Sequence, residues 1–149
     1  MSKATAARGL ILGFLALLLI GCGGSGGDLP PLQPVSGTVI LDGQPLKGAA
    51  VEFVPIGTTS GTGASASTGP DGKFALKCQG RDGAPAGEYR VVISKEVMPD
   101  GSDPPPDVMP AESGAQQMLP PEYSDYEQTT IKKTVAEGGG TIDIELTTK

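Results

Sequence analysis

From Val35 to the C-terminus, apolar and polar residues alternate with a period of two, which is the signature of strands with one buried face. Val35, Gly37, Val39 and Leu41 alternate with Ser36, Thr38 and Ile40, and Asp42-Gly43 then supplies a turn. In the next run Ala49, Val51 and Phe53 share one face, Ala50, Glu52 and Val54 the other, and Pro55 ends it, so the first two strands read as an antiparallel pair. Residues 58–68 are Gly, Ser, Thr and Ala-rich and predict a weak strand or an open loop. Pro70-Asp71-Gly72 is a strong turn signal, followed by Phe74, Leu76 and Cys78 on one face and Lys73, Ala75 and Lys77 on the other. After a turn region at 79–87, the longest strand, Glu88 to Val97, opposes Tyr89, Val91 and Ile93 to Arg90, Val92 and Ser94 and is expected to be central. Residues 99–121 hold seven prolines without periodicity, which predicts an extended surface excursion free of helix. Order resumes over 131–135, and the last strand places Ile142, Ile144 and Leu146 inward against Asp143 and Glu145. Six or seven strands with no helix beyond the leader predict a single all-β sandwich.

The first 21 residues differ in kind. Lys3 and Arg8 precede an apolar run from Leu10 to Ile20 interrupted only by Gly13, the layout of a secretory signal peptide. At about 11 residues the run is too short for a bilayer-spanning helix, which takes about 20. Leu19-Ile20-Gly21-Cys22 resembles the lipobox of bacterial lipoproteins, in which the small residue admits the peptidase and the thiol accepts the lipid. The expected processing removes residues 1–21 and leaves an acylated, palmitate-bearing Cys22 as membrane anchor; buried acyl chains contribute about 0.8 kcal/mol per methylene. Residues 22–34, rich in Gly and then in Pro, read as a tether, and 35–149 as the sandwich with its Pro-rich loop at 99–121. Gly23 is not the Asp that would hold such a lipoprotein in an inner membrane, so the expectation is a cell-envelope protein in the outer rather than the inner membrane, its domain in the periplasm or at the cell surface.

Composition narrows the function. Taking 21 residues from 149 leaves 128, enough for one modest core. Gly (23) and Pro (14) make up about a quarter of the chain, so much of it is turn or loop. The absence of His removes the side chain most used for proton transfer near neutral pH and for zinc, and weighs against an enzyme. Without Lys3 and Arg8, the 11 basic residues fall to 9 against 17 acids, a net charge of −8. Such a surface, with Lys132-Lys133 its only adjacent basic pair, does not suit nucleic acid.

The turn motifs carry a family resemblance. Val35-Ser36-Gly37-Thr38-Val39 with Asp42-Gly43-Gln44-Pro45-Leu46-Lys47-Gly48-Ala49, then Pro70-Asp71-Gly72-Lys73-Phe74, then Pro85-Ala86-Gly87-Glu88-Tyr89-Arg90-Val91, are similar in order and spacing to the carboxypeptidase regulatory-like, transthyretin-like (prealbumin-like) domains. The segment from Leu119-Pro120-Pro121-Glu122-Tyr123 to the final strand looks like small lipoproteins of this type from planctomycete-like bacteria. The resemblance implies a β-sandwich and no catalytic residue, since these motifs are mostly turn chemistry and a fold does not fix a function.

Several side chains are candidates for sites. Cys78, the one thiol besides Cys22, reads as a buried small hydrophobe in preference to a reactive group. Lys47 and Asp143 would be nominal partners for an isopeptide crosslink, against which stand the lack of Lys in the first strand and of Asn anywhere. Asp100, Asp103, Asp107 and Glu112 have the hard oxygens calcium takes, but their spacing lacks a ligand loop, so no metal and no cofactor is expected. Tyr123 and Tyr126, flanked by Glu122, Asp125 and Glu127, are the candidate binding residues for sugar or peptide, or else seal the end of the core. The expected function is a non-catalytic, membrane-anchored envelope module that contacts another envelope protein or plays a structural role; the alternative is a carbohydrate-binding or substrate-presenting accessory beside a hydrolase or uptake system.

Overall fold

The computed structural model describes residues 30–148, and the leader, Cys22 and most of the tether lie outside the described residues. Two sheets face each other across one apolar core, an all-β sandwich. Its main strands are β1 (Val35–Leu41), β2 (Ala50–Pro55), β3 (Ala64–Ser67), β4 (Lys73–Ala75), β5 (Lys77–Cys78), β6 (Gly87–Ser94), β7 (Lys132–Val135), β8 (Gly140–Thr141) and β9 (Ile144–Leu146). The larger sheet runs β7-β6-β2-β3-β5 with Arg81–Asp82 at its edge. In the smaller sheet β1 is central, pairing antiparallel with β4 and Gln44–Pro45 along one edge and parallel with β8 and β9 along the other.

The period of two is realised almost residue by residue. Val39, Val51, Tyr89, Val91 and Ile93 are fully buried, while their neighbours on each strand face outward. Phe53 sits between the sheets with ring centroids 5.7 Å from Tyr89 and 6.4 Å from Phe74, at tilted angles that aromatic pairs favour. Phe74, Leu76 and Cys78 all point inward, although the chain changes sheets at Leu76.

The first two long strands do not pair with each other. Asp42-Gly43 does turn the chain, with Gly43 at φ 82°, but the hairpin partner is only Gln44–Pro45, and the chain then crosses to the other sheet. Buried Thr68 secures that crossing: its hydroxyl donates to the Leu46 carbonyl (2.6 Å) and accepts from the Ala49 N–H (2.8 Å). Between β8 and β9 the chain breaks the ladder opposite Gly37, where a Cβ would lie 1.9 Å from the Ile142 carbonyl oxygen. Asp143 mends the gap by accepting the Thr38 N–H at 2.9 Å.

Two further expectations are corrected. The Pro-rich segment holds one helical turn, Pro110–Ser113, because Pro at the first helical positions lacks only an N–H that would be unpaired there and Gly114, at φ 77°, closes the turn in the left-handed conformation. A second turn, Pro121–Ser124, follows the same rule at its start. At the other end, Leu32–Gln33 pairs with Ala84–Pro85, so the folded domain takes in the last residues assigned to the tether.

Candidate functional site

Strand registers give the sandwich two poles. Leu32 opposite Pro85 and Gly87 opposite Val135 put the N-terminal approach, together with the 56–62, 79–87 and 136–139 turns, at one end. Ser94 opposite Ala50 puts the 42–49 crossover and the whole Pro-rich excursion at the other. The β6 strand that separates them is about 23 Å long at 3.3 Å per residue.

At the second pole the inward alternation of β6 continues one step beyond the strand, from Tyr89, Val91 and Ile93 to Lys95, whose side chain is only 8% exposed. A buried ammonium needs a partner. Asp103, from the Pro-rich excursion, supplies it through Oδ1, and its Oδ2 lies 3.0 Å from Lys47 Nζ. The Lys95 hydrogen bond, and then that from Lys47, hold the Asp103 carboxyl down at about 2. Gly48, at φ +64°, leaves room for this cluster, since a Cβ there would lie 3.0 Å from Lys95 Nζ.

The excursion is tied down again on its return. Glu96–Val97 pairs with Gln116–Gln117, and Met118 N–H donates to the Lys95 carbonyl at 2.7 Å. Gln117 Oε1 accepts from two backbone N–H groups, Lys95 (2.9 Å) and Leu119 (3.1 Å). Leu119 plugs into the core at 3% exposure. Between these ties the segment projects, with Val108 38% and Met109 72% exposed. An open groove of about 430 Å³ lies at this pole, bounded by Gly48, Ala50, Ser94, Lys95, Asp103 and Pro104. Fixed ends and an apolar exposed tip are what a binding loop requires, and in the cluster Asp103 engages both lysines.

The candidates from sequence are distributed differently. Tyr123 and Tyr126 lie three residues apart but act separately. The Tyr123 ring packs against the core, and its hydroxyl donates to the Thr147 carbonyl (2.9 Å) and accepts from the Thr147 N–H (3.3 Å). Together with Lys133, whose ammonium donates to the Asp143 carbonyl (3.1 Å), it covers backbone groups flanking β9. Tyr126 is 41% exposed and carries the Arg90 guanidinium 4.9 Å above its ring, while Arg90 also donates to the Tyr126 carbonyl at 3.0 Å. Cys78 is buried at the first pole, beside the Thr62 hydroxyl at 3.3 Å.

Lys47 and Asp143 are not brought together: Lys47 pairs with Asp103, and Asp143 serves Thr38. Of the acids considered for calcium, Asp103 is held by the two lysines and Asp100 by the Ser102 hydroxyl (2.6 Å) and N–H (2.9 Å), which lower its pKa. Among the described residues no three His, Cys, Asp or Glu side chains converge as metal ligands, and no helix is long and apolar enough to cross a membrane. Sequence reasoning missed Lys95 and Leu119. The signal for Lys95 was present, since the alternation of β6 assigns it inward; Leu119, next to the exposed Met118 in a Pro-rich stretch without periodicity, gave none.

No protein-family model matches the chain, and no curated protein matches it. Two solved structures are similar to it. A DUF3823 family protein from Parabacteroides merdae is 19% identical with a TM-score of 0.38, over 79% of this chain and 46% of that one. BcpA, the major pilin subunit of Bacillus cereus, is 14% identical with a TM-score of 0.40, over 79% of this chain and 30% of that one. The chain thus spans less than half the length of either, and the likeness is one of β-rich fold alone.

Proposed function

We propose that this chain is a lipid-anchored envelope lipoprotein of the carboxypeptidase regulatory-like, transthyretin-like kind, which displays the Pro-rich loop to a protein partner and performs no catalysis itself. The observation that carries the reading is the separation of the poles. The chain reaches the sandwich at the end where Leu32 meets Pro85, and Lys95, Asp103 and the loop occupy the opposite end. An acylated Cys22 would therefore attach the domain to the membrane by one pole and leave the loop facing away. The support for the anchor is the basic start, the short apolar run and the Leu19-Ile20-Gly21-Cys22 motif; the support for a non-catalytic role is the lack of His and a distal cluster whose one carboxylate is engaged by two lysines.

Photo-crosslinking in the native envelope tests the display. A benzophenone amino acid in place of Met109 is expected to give a discrete protein adduct, and the same group in place of Thr59, at the first pole, is expected not to. Equal adducts from both positions, or none from Met109, would refute it. The anchor has its own test: Cys22→Ala should abolish palmitate labelling and release the protein from membranes, and a variant that stays membrane-bound would contradict the lipoprotein assignment.

A further inference from the structure

The charge around the exposed tip narrows the class of partner it can take. Residues 96–131 contain eight acids and no Lys or Arg. Asp103 is neutralised by Lys47 and Lys95, whereas Asp107 and Glu112 are solvent-exposed and flank Val108 and Met109 on either side. An exposed Met beside an exposed Val is an adaptable apolar contact, because the unbranched thioether fits pockets of varied shape. The surrounding negative charge excludes acidic partners and anionic surfaces and attracts a cationic one.

We infer that the Asp107–Glu112 tip docks a basic protein segment whose lysines or arginines alternate with apolar residues, Met109 entering its apolar side and Asp107 and Glu112 pairing with its cations. This rests on the display reading above and names the partner's chemistry. The Lys47–Asp103–Lys95 cluster and the Leu119 plug hold the tip ready, so that little ordering entropy is lost on docking. The cluster also keeps a carboxylate of the loop from competing for the partner's cations, because both of its oxygens are engaged by lysines.

The test uses the full lipidated chain in zwitterionic nanodiscs, with signal from empty discs subtracted, and three labelled 12-residue peptides: Lys/Leu, Lys/Ser and Glu/Leu. Binding of the Lys/Leu peptide is expected, at least about tenfold tighter than either other peptide, and weakening as salt rises from low to physiological ionic strength. Met109→Ser should weaken it about tenfold, and Asp107→Asn with Glu112→Gln about fivefold at low salt and much less at high salt. All of these residues are exposed, so the fold is not at stake. Equal binding of the Glu/Leu peptide, no effect of either variant, or no binding of any peptide would overturn the inference. Its failure is distinguishable from failure of the display reading: a Met109 adduct to a partner with an acidic or neutral contact segment leaves the display standing and removes only the cationic partner.

Discussion

Leu119→Ala tests whether the Pro-rich segment is part of the folded domain. Leu119 is 3% exposed and joins the core from a stretch whose other large apolar residues, Val108, Met109 and Met118, are exposed, so truncating it removes three buried carbons and leaves a cavity at the point where the excursion returns. Comparable buried Leu→Ala changes cost about 2.7–5 kcal/mol, and a plug at the edge of the core, where neighbours can relax, belongs near about 3. Unfolding entropy of about 2.1 cal/mol/K per residue gives roughly 0.25 kcal/mol/K for a domain of this size, so the melting temperature should fall by about 12 °C. Calorimetry on the full chain, with agreement of calorimetric and van't Hoff enthalpies as the check on two-state unfolding, reads that shift. Met109→Ala, at a site 72% exposed, is the matched control and should stay within about 0.5 kcal/mol, or roughly 2 °C. A Leu119→Ala shift no larger than that of the control would mean that the segment does not return into the core.

Three other outcomes follow from particular contacts. Tyr123→Phe removes a hydroxyl bonded to both the carbonyl and the N–H of Thr147, which should cost about 1 kcal/mol in urea titration and, by baring backbone beside β9, raise self-association in sedimentation velocity at high concentration. Gly37→Ala should cost about 3 kcal/mol or more, because its Cβ would lie 1.9 Å from the Ile142 carbonyl oxygen and force β1 away from β8 and β9; a wild-type melting curve would refute that packing. Acid should loosen the excursion: the Asp103 pKa is depressed in the fold, so its contribution is complete above the ordinary carboxylate value of 3.8 and is lost as pH falls toward about 2. Carbon-13 NMR of Asp103 reads this directly, and a midpoint at or above 3.8 would contradict the pairing with Lys47 and Lys95.

How much of this was legible in the sequence depended on whether the deciding interaction was local. The faces of β1, β2 and β6 were readable because a side-chain period of two follows from strand geometry alone. Which strands pair was not: Asp42-Gly43 announces a turn but cannot say that β2 will join the other sheet, and β9 closes in parallel on β1 through contacts such as Asp143 to Thr38, 105 residues apart. The distal cluster was half visible. Alternation assigned Lys95 inward, yet a lysine is normally placed at the surface, and only the Asp103 carboxylate, brought back by an aperiodic loop, makes its burial tolerable. Asp143 and Lys47, considered together from sequence, turned out to serve different neighbours, because the gap at Gly37 that claims Asp143 exists only once the sheet has formed. The tyrosines illustrate the same limit: Tyr123 and Tyr126 are three residues apart, and a helical turn between Pro121 and Ser124 sends one to Thr147 and the other under Arg90.

The claim on which display depends is that the Pro-rich excursion is folded onto the sandwich, and hydrogen exchange of backbone amides in the full chain measures it directly. The N–H groups of Lys95, Met118 and Leu119, bonded to Gln117 Oε1 or to the Lys95 carbonyl, should be protected together with those of β6, and should lose protection together in Leu119→Ala. Exchange of Met118 and Leu119 at the rate of an unstructured peptide, while β6 remains protected, would contradict it.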